Sequence, residues 1–120
     1  MDRKTLVFGA SLKQERYSNM AIHKLRNHNQ NVVAFGMVSG EILEVAIDNE
    51  LVDYENVDTI TLYMNPKRQE AYYDYLIGLC PRRIIFNPGT ENPEFYTLLT
   101  QKDIFYEEAC TLVLLSTNQY

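Results

Sequence analysis

Thr5-Leu6-Val7-Phe8 runs into Gly9-Ala10-Ser11, and a polar loop then leads to Ser18 before an amphipathic segment begins. The architecture turns on these residues. An uncharged run that gives both faces to apolar neighbours belongs inside a parallel sheet covered on both sides. Gly9 stops it, because a residue without a side chain lets the backbone turn sharply. Beyond the loop, Ala21, Ile22 and Leu25 recur at helical spacing until the Asn-rich residues 27–31. Ser18 is the expected N-cap of that helix. The order is strand, polar loop, helix.

The same order repeats outward along the chain. Val32-Val33-Ala34-Phe35 reads as a second strand ending at Gly36, with a Ser39-Gly40 turn before a short third strand at residues 44–47. Residues 57–64 are rich in β-formers, and Asn65-Pro66 supplies the cap and first-turn proline of a helix running to about Leu79. Tyr72, Tyr73, Leu76 and Leu79 form its apolar stripe. Arg83-Ile84-Ile85-Phe86 is another buried strand, and Asn92-Pro93 repeats the capping device before a helix burying Phe95, Leu98 and Leu99. Residues 103–106 make a last strand. Residues 109–115 are expected as a helix behind the acidic pair Glu107-Glu108. This alternation predicts an α/β chain, a Rossmann-like three-layer fold with a mostly parallel five-stranded sheet, forming one domain over residues 1–120.

A net charge of −5 disfavours nucleic acid as a partner, since such affinity rests on clustered Lys and Arg. Local amides can still hold a phosphate. No apolar run reaches the length of a membrane span, and the Met1-Asp2-Arg3-Lys4 opening leads straight into a strand, so a cytoplasmic setting is expected. Two cysteines, Cys80 and Cys110, are too few for a disulfide framework. Cys80, before Pro81, is read as packing. Cys110 is either buried and inert or, beside a helix N-terminus, a reactive thiolate. His23 and His28 lie five apart on one helix, which is no ligand spacing, so no metal is assigned and a Ser-His-Asp relay is disfavoured.

In an open parallel sheet, ligands bind outside the carboxyl ends of the strands. Three loops qualify, at residues 9–18, 63–66 and 87–92. In the first, Gly9, Ala10 and Ser11 with Arg16 and Ser18 suit a pyrophosphate, although a plain turn would use the same residues and the full G-x-G-x-x-G pattern is missing. In the other two, Asn65, Asn87, Gly89 and Asn92 could be polar ligand contacts but read more readily as caps and turn residues.

The order and spacing of Gly9-Ala10-Ser11, Arg16-Tyr17-Ser18, Val57-Asp58, Asn87-Pro88-Gly89 with Glu91-Asn92, and Glu108-Ala109-Cys110-Thr111 resemble small stand-alone CoA-binding domain proteins. These are similar to the CoA-binding region of succinyl-CoA synthetase alpha subunits. The resemblance implies coenzyme A as cofactor. Gly9, Ala10, Ser11, Arg16 and Ser18 would then hold the phosphates. Gly36, Met37, Val38, Tyr63, Met64 and Asn65 would line the remainder, and Asn87, Gly89 and Asn92 would close the site. Where that family places Asn-Pro and then Lys, this chain has Phe35-Gly36-Met37-Val38, so the basic residue for the ribose 3′-phosphate is missing there. The expected function is binding of coenzyme A or an acyl-CoA without catalysis. The alternative is a nucleotide-dependent oxidoreductase or an acyl-CoA enzyme using Cys110. A homodimer or an enzyme partner is compatible with either reading.

Overall fold

The computed structural model describes residues 3–120, so Met1 and Asp2 lie outside the described residues. β1 (Lys4–Ala10) leads through a polar loop to α1 (Tyr17–Asn27), and β2 (Asn31–Gly36) pairs parallel with β1. β3 (Gly40–Ile42) and β4 (Val45–Asp48) form a hairpin, and β5 (Val57–Leu62) then pairs on the other side of β1. The remaining elements are α2 (Pro66–Gln69), a single 3₁₀ turn (Glu70–Tyr72), α3 (Tyr73–Gly78), β6 (Arg83–Phe86), α4 (Pro93–Gln101), β7 (Phe105–Glu108) and α5 (Thr111–Ser116).

The sheet has seven strands in the order β3-β4-β2-β1-β5-β6-β7. Five strands are expected and seven are present; the class, a mostly parallel sheet, holds, with β2-β1-β5-β6-β7 as its parallel centre. The other two strands extend the β2 edge, β4 parallel to β2 and β3 antiparallel to β4. The hairpin is hidden in the sequence because of its turn. Leu43 and Glu44 both occupy left-handed backbone, with φ of 46° and 67°, where a two-residue turn favours Asn-Gly. Glu44, expected to open the third strand, belongs to this turn, and the strand begins at Val45. Left-handed backbone costs such residues about 1–2 kcal/mol each. Leu43→Asn with Glu44→Gly is therefore expected to stabilise the fold by about 1 kcal/mol, a rise of roughly 4 °C in the thermal midpoint. An unchanged midpoint would mean that contacts of Leu43 offset the strain.

Helices cover both faces. On one, Val7 and Ala34 pack with Ile22 and Leu25 of α1 and Leu115 of α5. On the other, Leu6, Phe8, Phe35, Ile60, Leu62, Ile84 and Phe86 meet Leu76, Phe95 and Leu99. Full burial of each such side chain contributes about 1.5–3 kcal/mol. The helix expected from residue 66 to 79 is broken at Tyr72, which leaves helical geometry at φ −117° and ψ 3°. Adjacent side chains of an unbroken helix diverge by about 100°. The break sets Tyr72 edge-on to Phe8 at 5.1 Å, while Tyr73 stacks on Phe95 at 4.5 Å.

Strand order reverses at β1, with β2 on one side and β5 on the other, so the loops above them part and leave a crevice. No described helix is long and apolar enough to cross a membrane.

Candidate functional site

At the carboxyl ends of β1, β2, β5 and β6 the structure holds a cleft of about 530 Å³. Gly9, Ala10, Ser11, Arg16 and Ser18 reach it from the first loop. Gly36, Met37 and Val38 reach it from the end of β2, Tyr63, Met64 and Asn65 from the end of β5, and Gly89 from beyond β6. Asn87 and Asn92 do not line it.

Two glycines set its floor by close backbone approach. Gly9 has φ of 102°, and a Cβ there would stand 2.9 Å from the Tyr63 carbonyl carbon and oxygen. A Cβ on Gly36 would lie 2.2 Å from the Ala10 carbonyl oxygen. A side chain at either place would collide with the backbone of the neighbouring strand end.

The N-terminus of α1 opens onto this floor without a cap. Arg16, not Ser18, is the N-cap residue, with extended φ of −81° and ψ of 142°, and it makes no side-chain capping bond. Ser18 lies inside the first turn and is buried. The Ser11 hydroxyl accepts from the Lys13 N–H at 3.1 Å, and the Asn19 amide donates to the Ser11 carbonyl at 3.0 Å, so the loop is folded back on its own helix. Helices leave their first N–H groups without internal partners, and those groups with the helix dipole favour an anion. By contrast α4, the other helix of more than two turns, is closed by Asn92, whose side-chain oxygen accepts from the Phe95 N–H.

The loop after β6 is satisfied internally. The Gly89 N–H donates to Glu91 Oε1 at 2.8 Å, and the Thr90 N–H donates to the Asn87 carbonyl at 3.0 Å. The Asn87 side chain, 3% exposed, donates to Thr61 Oγ1 and the Leu62 carbonyl and accepts from the Thr111 N–H. It ties β5 and α5 to the loop beneath the cleft. Asn92 donates to Gln69 Oε1 and to the Tyr73 hydroxyl. Both asparagines build the frame around the cleft.

Lys13 and Arg68 also line the cleft, and the sequence gives no sign of either. Lys13 sits among polar loop residues with no spacing signal, and Arg68 follows Asn65 by one helical turn. Lys13, Arg16 and Arg68 form no ion pair; among the described residues the pairs are Arg82 with Asp58 and Arg83 with Glu107. No carboxylate, imidazole or thiol of the described residues lines the cleft. Leu12, Tyr17, Met37 and Val38 stand exposed around it. Burial pushes the Tyr63 hydroxyl up to about 12, so it stays protonated near neutral pH. That hydroxyl is buried without a hydrogen-bond partner, beside the Thr61 and Thr111 hydroxyls, which bond to each other at 2.8 Å.

The thiols lie elsewhere. Cys110 is the half-buried N-cap residue of α5, outside the cleft lining. Cys80, expected as a packing residue, is exposed in left-handed backbone with φ of 52°, where it ends the helix. His23 and His28 are exposed on or beside α1.

Known proteins share this architecture. A crystal structure of an uncharacterized protein superposes with a TM-score of 0.95 at 41% identity, covering 100% of this chain and 99% of that one. The structure of cell-free ID.343 from Thermus thermophilus superposes at 0.86 with 16% identity, covering 99% of this chain and 91% of that one. A conserved hypothetical protein from Pyrococcus furiosus gives 0.81 with 23% identity, covering 92% of this chain and 97% of that one. These last two establish the shared fold alone. No curated protein matches the chain. The family model described as CoA binding domain matches residues 3–116. The whole sheet and the cleft above it fall within that match, and the chain belongs to the CoA binding domain family.

Proposed function

We propose that this protein binds coenzyme A or an acyl-CoA in the cleft and does not itself catalyse a reaction. The observation that carries this reading is the uncapped N-terminus of the eleven-residue α1, opening onto a cleft that also holds Lys13 and Arg16. Its free N–H groups suit the diphosphate, with the two cations beside it. The exposed apolar side chains of Leu12, Tyr17, Met37 and Val38 suit the adenine ring or the pantetheine arm. The lack of any carboxylate, imidazole or thiol in the described lining favours holding a ligand over transforming it. Cys110 lies outside the lining, which disfavours thiolate chemistry on the acyl group. Two free thiols, Cys80 and Cys110, fit a reducing cytoplasmic setting.

Calorimetric titration with coenzyme A tests the reading. The native chain is expected to bind saturably at one site. Lys13→Gln with Arg16→Gln is expected to weaken binding by roughly 30-fold, from about 1 kcal/mol per lost charge. Both side chains are exposed, so the thermal midpoint should hold. Undiminished affinity in the double variant would remove the first loop from the site.

A further inference from the structure

The cleft has two unlike ends. Strand order puts the loop after β2 on one side of β1 and the loops after β5 and β6 on the other, with the open α1 N-terminus between them. The β2 end, Gly36-Met37-Val38, carries no charge. At the opposite end, the lining residues are Asn65, Arg68, Pro88, Gly89 and Thr90. Three backbone donors there are engaged: Gly89 N–H on Glu91, Thr90 N–H on Asn87, and Arg68 N–H on the Asn65 side chain. The Arg68 guanidinium is thus the one cationic group at that end among the described residues, and it has no ion pair. A planar fork of five donors matches a phosphate or carboxylate in a bidentate way.

We propose that Arg68 determines ligand specificity by taking a second anionic group, separate from the diphosphate held at α1. The proposal rests on the CoA-binding reading of the same cleft. Two sources carry that chemistry on such a ligand: the 3′-phosphomonoester of the ribose, and the free carboxylate of a dicarboxylic acyl thioester. Diphosphate is common to both, so only the peripheral anion distinguishes them. Arg68 then supplies the positive charge that the Gly36-Met37-Val38 segment does not.

Dissociation constants of coenzyme A, dephospho-coenzyme A, succinyl-CoA and butyryl-CoA are to be measured for the native chain, Arg68→Gln and Arg68→Lys. The native chain is expected to prefer the member bearing the extra anion in at least one pair, coenzyme A over dephospho-coenzyme A or succinyl-CoA over butyryl-CoA, by about tenfold. Arg68→Gln should abolish that preference while leaving affinity for the member without the extra anion within about twofold. Arg68→Lys should keep part of it, because the charge stays and the fork is lost. Loss in the first pair identifies the phosphomonoester, and loss in the second the carboxylate. Equal weakening toward all four ligands, or no change in either preference, overturns the role of Arg68. Failure of the native chain to bind any of the four overturns the CoA reading itself.

Discussion

Gly36→Ala is expected to lower the unfolding free energy by about 3 kcal/mol, the upper part of the range for overpacking a buried site. The added methyl would lie 2.2 Å from the Ala10 carbonyl oxygen and 3.2 Å from Ile47 Cγ2. The isoleucine methyl can give way; the carbonyl cannot, because it is backbone of the adjacent strand. Ala10 and Gly36 are the last register pair between β1 and β2, just past an irregularity in the ladder between Phe8 and Ala10. Relief of the clash therefore means parting the two central strands at the cleft floor. Urea unfolding would register the loss as a lower midpoint, and coenzyme A affinity should fall with it, since Ala10 and Ser11 carry the floor. A variant as stable as the parent would show that the strands separate there at little cost.

The second large effect is expected at Asn87. Its side chain joins three partners, Thr61 Oγ1 at 2.7 Å, the Leu62 carbonyl at 2.8 Å and the Thr111 N–H at 2.9 Å. Asn87→Ala strands buried groups that each cost about 1–3 kcal/mol when left unpaired, so a loss of about 3 kcal/mol is expected in the same unfolding assay. Asn87→Asp sharpens the test. Its carboxylate would still accept from the Thr111 N–H but would oppose the Leu62 carbonyl, where the amide had donated. Burial raises the pKa of such a carboxyl, so the folded chain takes up a proton more readily than the unfolded one. Stability of Asn87→Asp relative to the parent should therefore improve as pH falls and the neutral acid regains a donor. If Asn87→Ala weakened coenzyme A binding with stability intact, the side chain would belong to the ligand and not to the frame.

Local chemistry that admits a single use is legible in the sequence. Asn65-Pro66 and Asn92-Pro93 announce helix starts because a capping oxygen and a residue lacking an N–H serve the same few orphan donors wherever they occur. The parallel centre follows from apolar runs such as Leu6-Val7-Phe8 and Ile84-Ile85-Phe86, which have no polar face to offer water. The hairpin stays hidden because Leu43-Glu44 adopts a turn by tertiary constraint, against its own preferences. Ser18 looks like a cap because serine caps well, yet the helix begins one residue earlier and buries it. Asn87 shows the deeper limit: an asparagine in a loop after a strand has one composition and two uses, and only its partners separate them. Arg68 is invisible for a related reason. Its relevance comes from three of the donors around it being occupied, which is a property of the loops after β5 and β6 together.

The bare start of α1 links occupancy to order. The start of α1 has no side-chain cap, although the Arg16 and Asn19 N–H groups donate to the Lys13 and Arg16 carbonyls; on the CoA-binding reading, a bound diphosphate would complete that end of the helix. On that reading, coenzyme A at a hundredfold excess over its dissociation constant would add about 2.7 kcal/mol to the stability of the whole chain.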